Sequence, residues 1–185
     1  MKNSFYSDDE IKNFGFKSVG ENVLISKKAS FYGVENISLG DNVRIDDFCI
    51  LSGIIVIGSY VHISAHTCLY GRRGIFVSDF SGLSPRVTIF SETDDFSGEY
   101  MIGPLVPKEF RNVIGGEVVI EKFVQVGANS IVFPNLTIGE GAAVGAMSLI
   151  NSNVTPWTIV AGIPAKFIKN RKRDIIGLYT KFKGE

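Results

Sequence analysis

Aliphatic residues recur at every sixth position over most of this chain, and that period decides what it can fold into. Leu39, Ile45, Leu51, Ile57, Ile63 and Leu69 follow one another at intervals of six. Val77, Leu83 and Ile89 resume the count after a two-residue slip. Ile120, Val126, Val132, Ile138, Val144 and Ile150 resume it again after a long interruption. Small residues accompany the grid. Gly58, Ser64, Gly127, Gly139 and Gly145 directly follow a grid residue, while Ser81, Ser130, Ala142 and Ser148 come four positions after one. A short fixed period means a structural unit that cannot bury its apolar face alone and stacks on copies of itself. At period six, three units close one triangular coil of a parallel β-helix. Every third grid residue then stacks above the last inside a narrow prism.

The rest of the chain falls into place around that grid, as a single unit over 1–185. Residues 1–18 carry Asp8, Asp9 and Glu10 ahead of Ile11, which predicts a short capped helical turn over the first coil. A cap is expected because an open end of stacked strands templates aggregation. Residues 19–90 form the first coils, with Gly, Asn and Asp supplying tight corners between short β-branched strands. The stretch 91–117 is too long to be a corner and must project as a loop, the place where function concentrates on a rigid scaffold. Residues 118–165 complete the coils. Residues 166–185 are basic, and Phe167, Ile168, Ile175, Ile176 and Tyr179 stand at near-helical spacing, which predicts a short helix packed on the last coil.

Composition excludes several classes of function. Nineteen basic and nineteen acidic residues cancel, so no electrostatic footprint points to nucleic acid or an anionic membrane surface. The N-terminal stretch has no apolar core long enough for a signal peptide, and nothing approaches a membrane span, so a cytoplasmic location is expected. Cys49 and Cys68 read as small buried hydrophobes in a reducing compartment.

The hexads, the one large loop and the run VAGIPAKFIK (160–169) together resemble the hexapeptide-repeat acyltransferases. That resemblance implies an all-β fold: a left-handed parallel β-helix with one long inserted loop and a short C-terminal helix. It also implies a homotrimer, with active sites in grooves between neighbouring prisms. Outward aromatics such as Tyr60, Tyr70, Phe80 and Phe133 agree, because they leave apolar patches on a lone prism that a closed threefold assembly covers. Some β-helices of this kind are carbonic anhydrase-like and bind zinc through three histidines. This chain has only His62 and His66, so no metal is expected. The sequence is most similar to the sugar-nucleotide N-acyltransferases that act on dTDP-4-amino-4,6-dideoxyhexoses.

Acyl-coenzyme A is therefore the expected co-substrate and a nucleotide-linked amino sugar the expected acceptor. The family lays the pantetheine along the coils after the loop, which here places Gly127, Ala128, Gly145 and Ala146 beside it, with Lys166 of the AGIPAK run near its phosphates. Lys169, Arg171 and Lys172 lie beside the same closing turn and are further candidates to neutralise those phosphates, against a plain solvated basic face. Many O-acetyltransferases of the family carry a catalytic histidine at the start of the loop; here that slot holds Asp94. A hydroxyl needs a strong base. An amine with a pKa of roughly 7.7–8.0 is already partly neutral and needs only orientation and a proton acceptor. Asp94 thus favours N-acylation, with Ser84 to donate to or orient the amine. Glu92 is expected to bind substrate, with Glu92 and Asp95 as rival carboxylates, and His66 to contact the acceptor. Arg72, Arg73 and Arg86 are candidates for a nucleotide pyrophosphate. Two other readings remain: O-acetylation of a sugar or antibiotic with His66 or His62 as base, and a non-catalytic scaffold.

Overall fold

The computed structural model describes residues 4–184, and in it the six-residue grid is the inner wall of a parallel β-helix. Ile45 pairs with Ile63 and Leu51 with Leu69, eighteen residues apart, so three hexads make one coil. All fifteen grid residues are buried, none more than 4% exposed. Burying each such side chain contributes about 1.5–3 kcal/mol, and no other element of the chain offers a comparable core. The residue before each inward one points outward, so Arg44, His62, Gly82 and Gln125 line up on the outside of one face.

The slip in the grid is an insertion in the wall. Gly53 pairs with Gly71 but Ile55 pairs with Ile75, so Arg72, Arg73 and Gly74 stand where the coil before has Ile54 alone. The long interruption leaves the wall in the same clean way: Ile89 pairs with Val132, forty-three residues on. At the N-terminus a helix spans Asp8–Lys12, closed by a Ser7–Glu10 capping box. Ile11 is buried beneath it, and Tyr6, Phe14, Phe16 and Phe31 pack edge-to-face and stacked around the first coil.

One corner was only half legible. Asn22 and Asn42 adopt the left-handed backbone expected there, but Tyr60, Phe80, Phe123 and Trp157 adopt it too. That conformation costs about 1–2 kcal/mol for a residue with a β-carbon. Stacking offsets it: Tyr60 lies on Phe80 at 4.7 Å, and Phe80 on Phe123 at 5.8 Å. This ladder also corrects the placement of the C-terminal helix. The helix Asp174–Lys183 does not sit on the last coil; Tyr179 packs on Phe80 and Phe123, and Phe182 on Tyr60 and Phe80, along the side of the prism. Phe167 and Ile168, whose spacing predicts a place in that helix, lie instead in the strand Ala165–Asn170, which closes the last face by antiparallel pairing with Thr158–Gly162. Of the four outward aromatics, Tyr60 and Phe80 both touch the chain's own helix, yet Tyr60 remains 41% exposed, as much as Phe133 at 41% and Tyr70 at 37%. No helix among the described residues is long and apolar enough to cross a membrane.

The small residues four places after the grid wire neighbouring coils together. Ser81, Ser130 and Ser148 are buried. Ser148 Oγ donates to the Gly145 carbonyl at 2.7 Å and accepts the Gly162 N–H at 3.1 Å. Ser148→Ala leaves the Gly162 N–H without this partner, so urea unfolding should show a loss of ~1–2 kcal/mol with an unchanged m-value.

Candidate active site

The loop 91–117 is held at its base by a two-stranded antiparallel ribbon. Glu92–Asp94 pairs with Val113–Gly115, with Asp94 opposite Val113. The buried Ser91 anchors it to the wall. Its Oγ donates to the Tyr70 carbonyl at 3.0 Å and accepts the Arg73 N–H at 2.8 Å. Glu92, Thr93 and Asp94 line one cavity of about 710 Å³ with Arg72, Arg73, Phe90, Lys108 and Arg111. Asp94 also borders a second cavity of about 630 Å³, lined by Phe96, Tyr100, Met101 and Ile102.

The three neighbouring carboxylates have different occupations. Glu92 lies between Arg72 Nε and Arg73 Nε, 3.4 Å from each. Asp95 is buried and committed to the loop: it accepts the Ser97 N–H at 2.6 Å and the Asn112 side-chain amide at 2.8 Å. The Ser97 side chain and N–H, with Asn112 after them, hold its carboxyl below the usual range. The loop contacts it makes are therefore in force above the ordinary Asp range and weaken as pH falls through its lowered value. Asp94 alone has no hydrogen-bond or ion-pair partner among the described residues, at the boundary of the two cavities.

Ser84 lines neither of those cavities; a single chain does not gather Ser84 and Asp94 in one pocket. It stands on a prism edge with Gly127 and Gly145, one coil below Gly127. Its Oγ accepts from Gln125 Nε2 at 3.0 Å, which leaves its own proton free to be donated. Gln125 carries no signal of this role in the sequence. Coils touch closely on this edge: a β-carbon on Gly127 would lie 2.5 Å from the Ala146 nitrogen. That contact requires glycine for packing, independently of any ligand.

The edge differs from the aromatic corner in one respect that bears on binding. At the aromatic corner the exposed N–H groups are taken by side chains of the next coil: Glu21 by Asp41, Asp41 by Ser59, Ser59 by Asp79. On the Ser84 edge the N–H groups of Ala65, Ala128 and Ala146 have no acceptor among the described residues. Pro85 has no N–H to offer between Ala65 and Ala128, so two bare donors, Ala128 and Ala146, stand on the coils that follow the loop. At its end the AGIPAK run forms the hairpin turn, where Ala161 pairs with Lys166, and Lys166 borders a cleft of about 230 Å³ with Asn151, Ser152, Asn153 and Thr155.

Neither histidine lines the cavities at Asp94. His66 is at a corner, stacked on Phe48 at 5.0 Å, and His62 contacts Asp46 at 2.7 Å, which Arg44 also holds. Burial pushes the Cys49 thiol up to about 11, unlike an activated nucleophile. Among the described residues no group of three or more His, Cys, Asp or Glu is placed to hold a metal ion.

Stacked hexad coils with one long loop thrown out of the wall place this chain with the hexapeptide-repeat β-helices. No family model matches the chain. It is 45% identical over 183 residues to dTDP-4-amino-4,6-dideoxy-D-glucose acyltransferase of Escherichia coli, matching 97% of this chain and 95% of that protein. It is also 30% identical to the putative lipopolysaccharide biosynthesis O-acetyl transferase WbbJ of Escherichia coli K12, over 89% of this chain and 76% of that one. The chain belongs to the hexapeptide-repeat acyltransferase family, in the branch of the dTDP-4-amino-4,6-dideoxy-D-glucose acyltransferases. AntD, an N-acyltransferase from Bacillus cereus solved with dTDP and 3-hydroxybutyryl-CoA, matches with a TM-score of 0.97 at 53% identity, over 98% of this chain and 97% of its own. Its S84C mutant, solved with dTDP-4-amino-4,6-dideoxyglucose and coenzyme A, matches over 100% and 99%, at 52% identity and a TM-score of 0.97. AntD has also been solved as D94N and D94A mutants. The Vibrio cholerae acetyltransferase VCA0836, at 20% identity and a TM-score of 0.60 over 90% of this chain and 80% of its own, shares the fold.

Proposed function

We propose that this protein transfers an acyl group from acyl-coenzyme A to the amine of a dTDP-linked 4-amino-4,6-dideoxyhexose, in the cytoplasm and as a homotrimer. The observation that carries the reading is the unpartnered Asp94 carboxylate between two cavities of the loop, a proton acceptor without competing contacts. The AntD complexes with dTDP and with acyl-CoA support the two substrates, and the AntD mutants at 84 and 94 bear numbers that are Ser and Asp here as well.

The reaction needs no acyl-enzyme. The sugar amine attacks the thioester carbonyl, a C–N bond forms and the C–S bond breaks, and the proton shed by nitrogen ends on the coenzyme A sulfur. Asp94 accepts the amine's hydrogen, fixing the lone pair on the carbonyl and taking the proton in transit. The free amides at Ala128 and Ala146 bind the pantetheine and thioester along the edge, with Gly127 and Gly145 allowing the close approach and Lys166 near the phosphates. Ser84 Oγ donates to the reacting groups while Gln125 holds it. Glu92 acts through the arginines, and His66 contacts the acceptor from its corner. A threefold assembly sets the loop of one chain against the edge of the next, which brings Asp94 to the Ser84 edge. Phe96 and Leu105 of the loop, 90% and 97% exposed, are then covered by the neighbouring chain.

Release of free thiol from acetyl-CoA and from 3-hydroxybutyryl-CoA, measured with dTDP-amino sugars beside their hydroxyl counterparts, tests the reaction. Turnover confined to the amino sugars is expected. Equal turnover of the hydroxyl sugars would refute N-acylation, and light scattering that gives a monomer would refute the shared site.

A further inference from the structure

The outward row on the face that ends at Ser84 has a gap in it. That row runs Arg44, His62, Gly82, Gln125 and Ala143 over successive coils. Gly82 lies in a strand without a left-handed backbone, so its conformation does not call for glycine. Space does. A β-carbon there would lie 2.6 Å from Gln125 Oε1 and 3.4 Å from its Nε2, so the carboxamide lies across Gly82. From that notch Nε2 reaches Ser84 Oγ at 3.0 Å and the Val126 carbonyl at 3.4 Å. A carbonyl only accepts, so it fixes which end of the amide faces Ser84: the nitrogen, with one hydrogen for each partner. The Ser84 hydroxyl is an acceptor toward Gln125, and its own proton has no acceptor among the described residues. Ser64, one coil above in the same row, has no side chain holding its hydroxyl among the described residues. When an amine attacks a thioester, negative charge gathers on the carbonyl oxygen, and a donor already aimed there stabilises it. A freely turning hydroxyl aims its proton there only part of the time.

We infer that Gln125 is a positioning residue of the transfer: its amide sets the Ser84 hydroxyl as a donor to the thioester oxygen, and Gly82 is glycine to make room for it. This rests on the proposed reaction and adds to it the direction of the Ser84 proton and the residue that sets that direction. Gln125 acts without touching either substrate.

Thiol-release kinetics on Ser84→Ala, Gln125→Leu, Gly82→Ala and Gln125→Glu, and on the Gln125→Leu and Gly82→Ala changes in a Ser84→Ala background, tests this. Ser84→Ala should lower kcat about hundredfold and Gln125→Leu about tenfold or more, each with KM for the acyl-CoA within about twofold of wild type, which also shows a folded protein. Gly82→Ala should match Gln125→Leu, because the added methyl displaces the carboxamide. In the Ser84→Ala background neither should lower kcat further, whereas losses from a merely structural role would add. An ionised carboxylate at this position can only accept, and it draws the Ser84 proton to itself. Gln125→Glu should therefore lose activity above the carboxylate range and regain it relative to wild type as pH falls and the carboxyl becomes a donor. Losses that add to that of Ser84→Ala, or full activity in Gln125→Leu, Gln125→Glu or Ser84→Ala, would each overturn the assignment. Wild-type turnover of hydroxyl sugars alone would remove the proposed reaction, and the same comparison made on that turnover would still keep or remove Gln125. A wild type that transfers to neither acceptor removes both.

Discussion

Asp94→Asn will lower kcat by ~10²–10⁴, the range for removing a positioned proton acceptor, while leaving the affinity for both substrates near that of the wild type. Asparagine keeps the size and one acceptor oxygen of aspartate, so it still orients an amine but takes no proton from it. Asp94→Ala removes both functions. Thiol-release kinetics on the two variants therefore separate the two roles. If Asp94 only orients, the asparagine variant stays within about tenfold of wild type and the alanine variant falls far lower; if it accepts the proton, both fall together. An alanine variant with full activity would remove Asp94 from the chemistry. The loop itself should survive either change, because the side chain holds no other group in place, whereas Asp95 holds Ser97 and Asn112.

A carboxylate in that position also separates two family members. The amine of an amino sugar brings its own nucleophilicity, and a hydroxyl does not. The likeness to a putative O-acetyl transferase covers 89% of the chain but cannot supply the missing base. Both histidines are on prism corners or faces, outside the Asp94 cavities, with Phe48 and Asp46 as their contacts.

What sequence could foresee follows from what repeats. The grid, the loop and the closing turn were readable because a period makes each inward residue predict the next, and the eighteen-residue register follows from it. The slip at Arg72 and Arg73 was equally visible, but a gap in a period does not reveal which way the extra residues point. The rival carboxylates Glu92, Asp94 and Asp95 were indistinguishable as letters. Their separation comes from long-range contacts to Arg72, Arg73 and Asn112, which no local pattern encodes. Lys108, Arg111 and Gln125 carried no signal at all, for the same reason. The C-terminal helix was found by its spacing and misplaced, because its partners Tyr60, Phe80 and Phe123 come from three separate coils.

That helix has a fastener, and breaking it should produce the largest stability change outside the grid. Arg171, in the segment before the helix, sends one nitrogen to the carbonyls of Phe123, Gly141 and Ala142 at 2.8, 3.0 and 3.2 Å. These carbonyls belong to the aromatic corner of two successive coils, where left-handed residues turn the backbone outward. A charged donor shared by three of them joins the coils and sets where the helix begins. Lys122 adds to the seal, its Nζ 3.7 Å from the Tyr179 ring centre. Arg171→Met keeps the apolar stem and removes the donor. It should cost about 3–4 kcal/mol, the sum of lost charge-assisted bonds and of aromatic cover that the helix no longer holds. Urea unfolding followed by circular dichroism measures the loss. Limited proteolysis should then cut first between the last strand and Asp174, well before the coils open. A loss below about 1 kcal/mol with no new cleavage would mean that the helix is held by its aromatic contacts alone. The coenzyme edge lies at a different corner, so this variant should keep kcat while losing stability. That split distinguishes a fastener from a residue of the site.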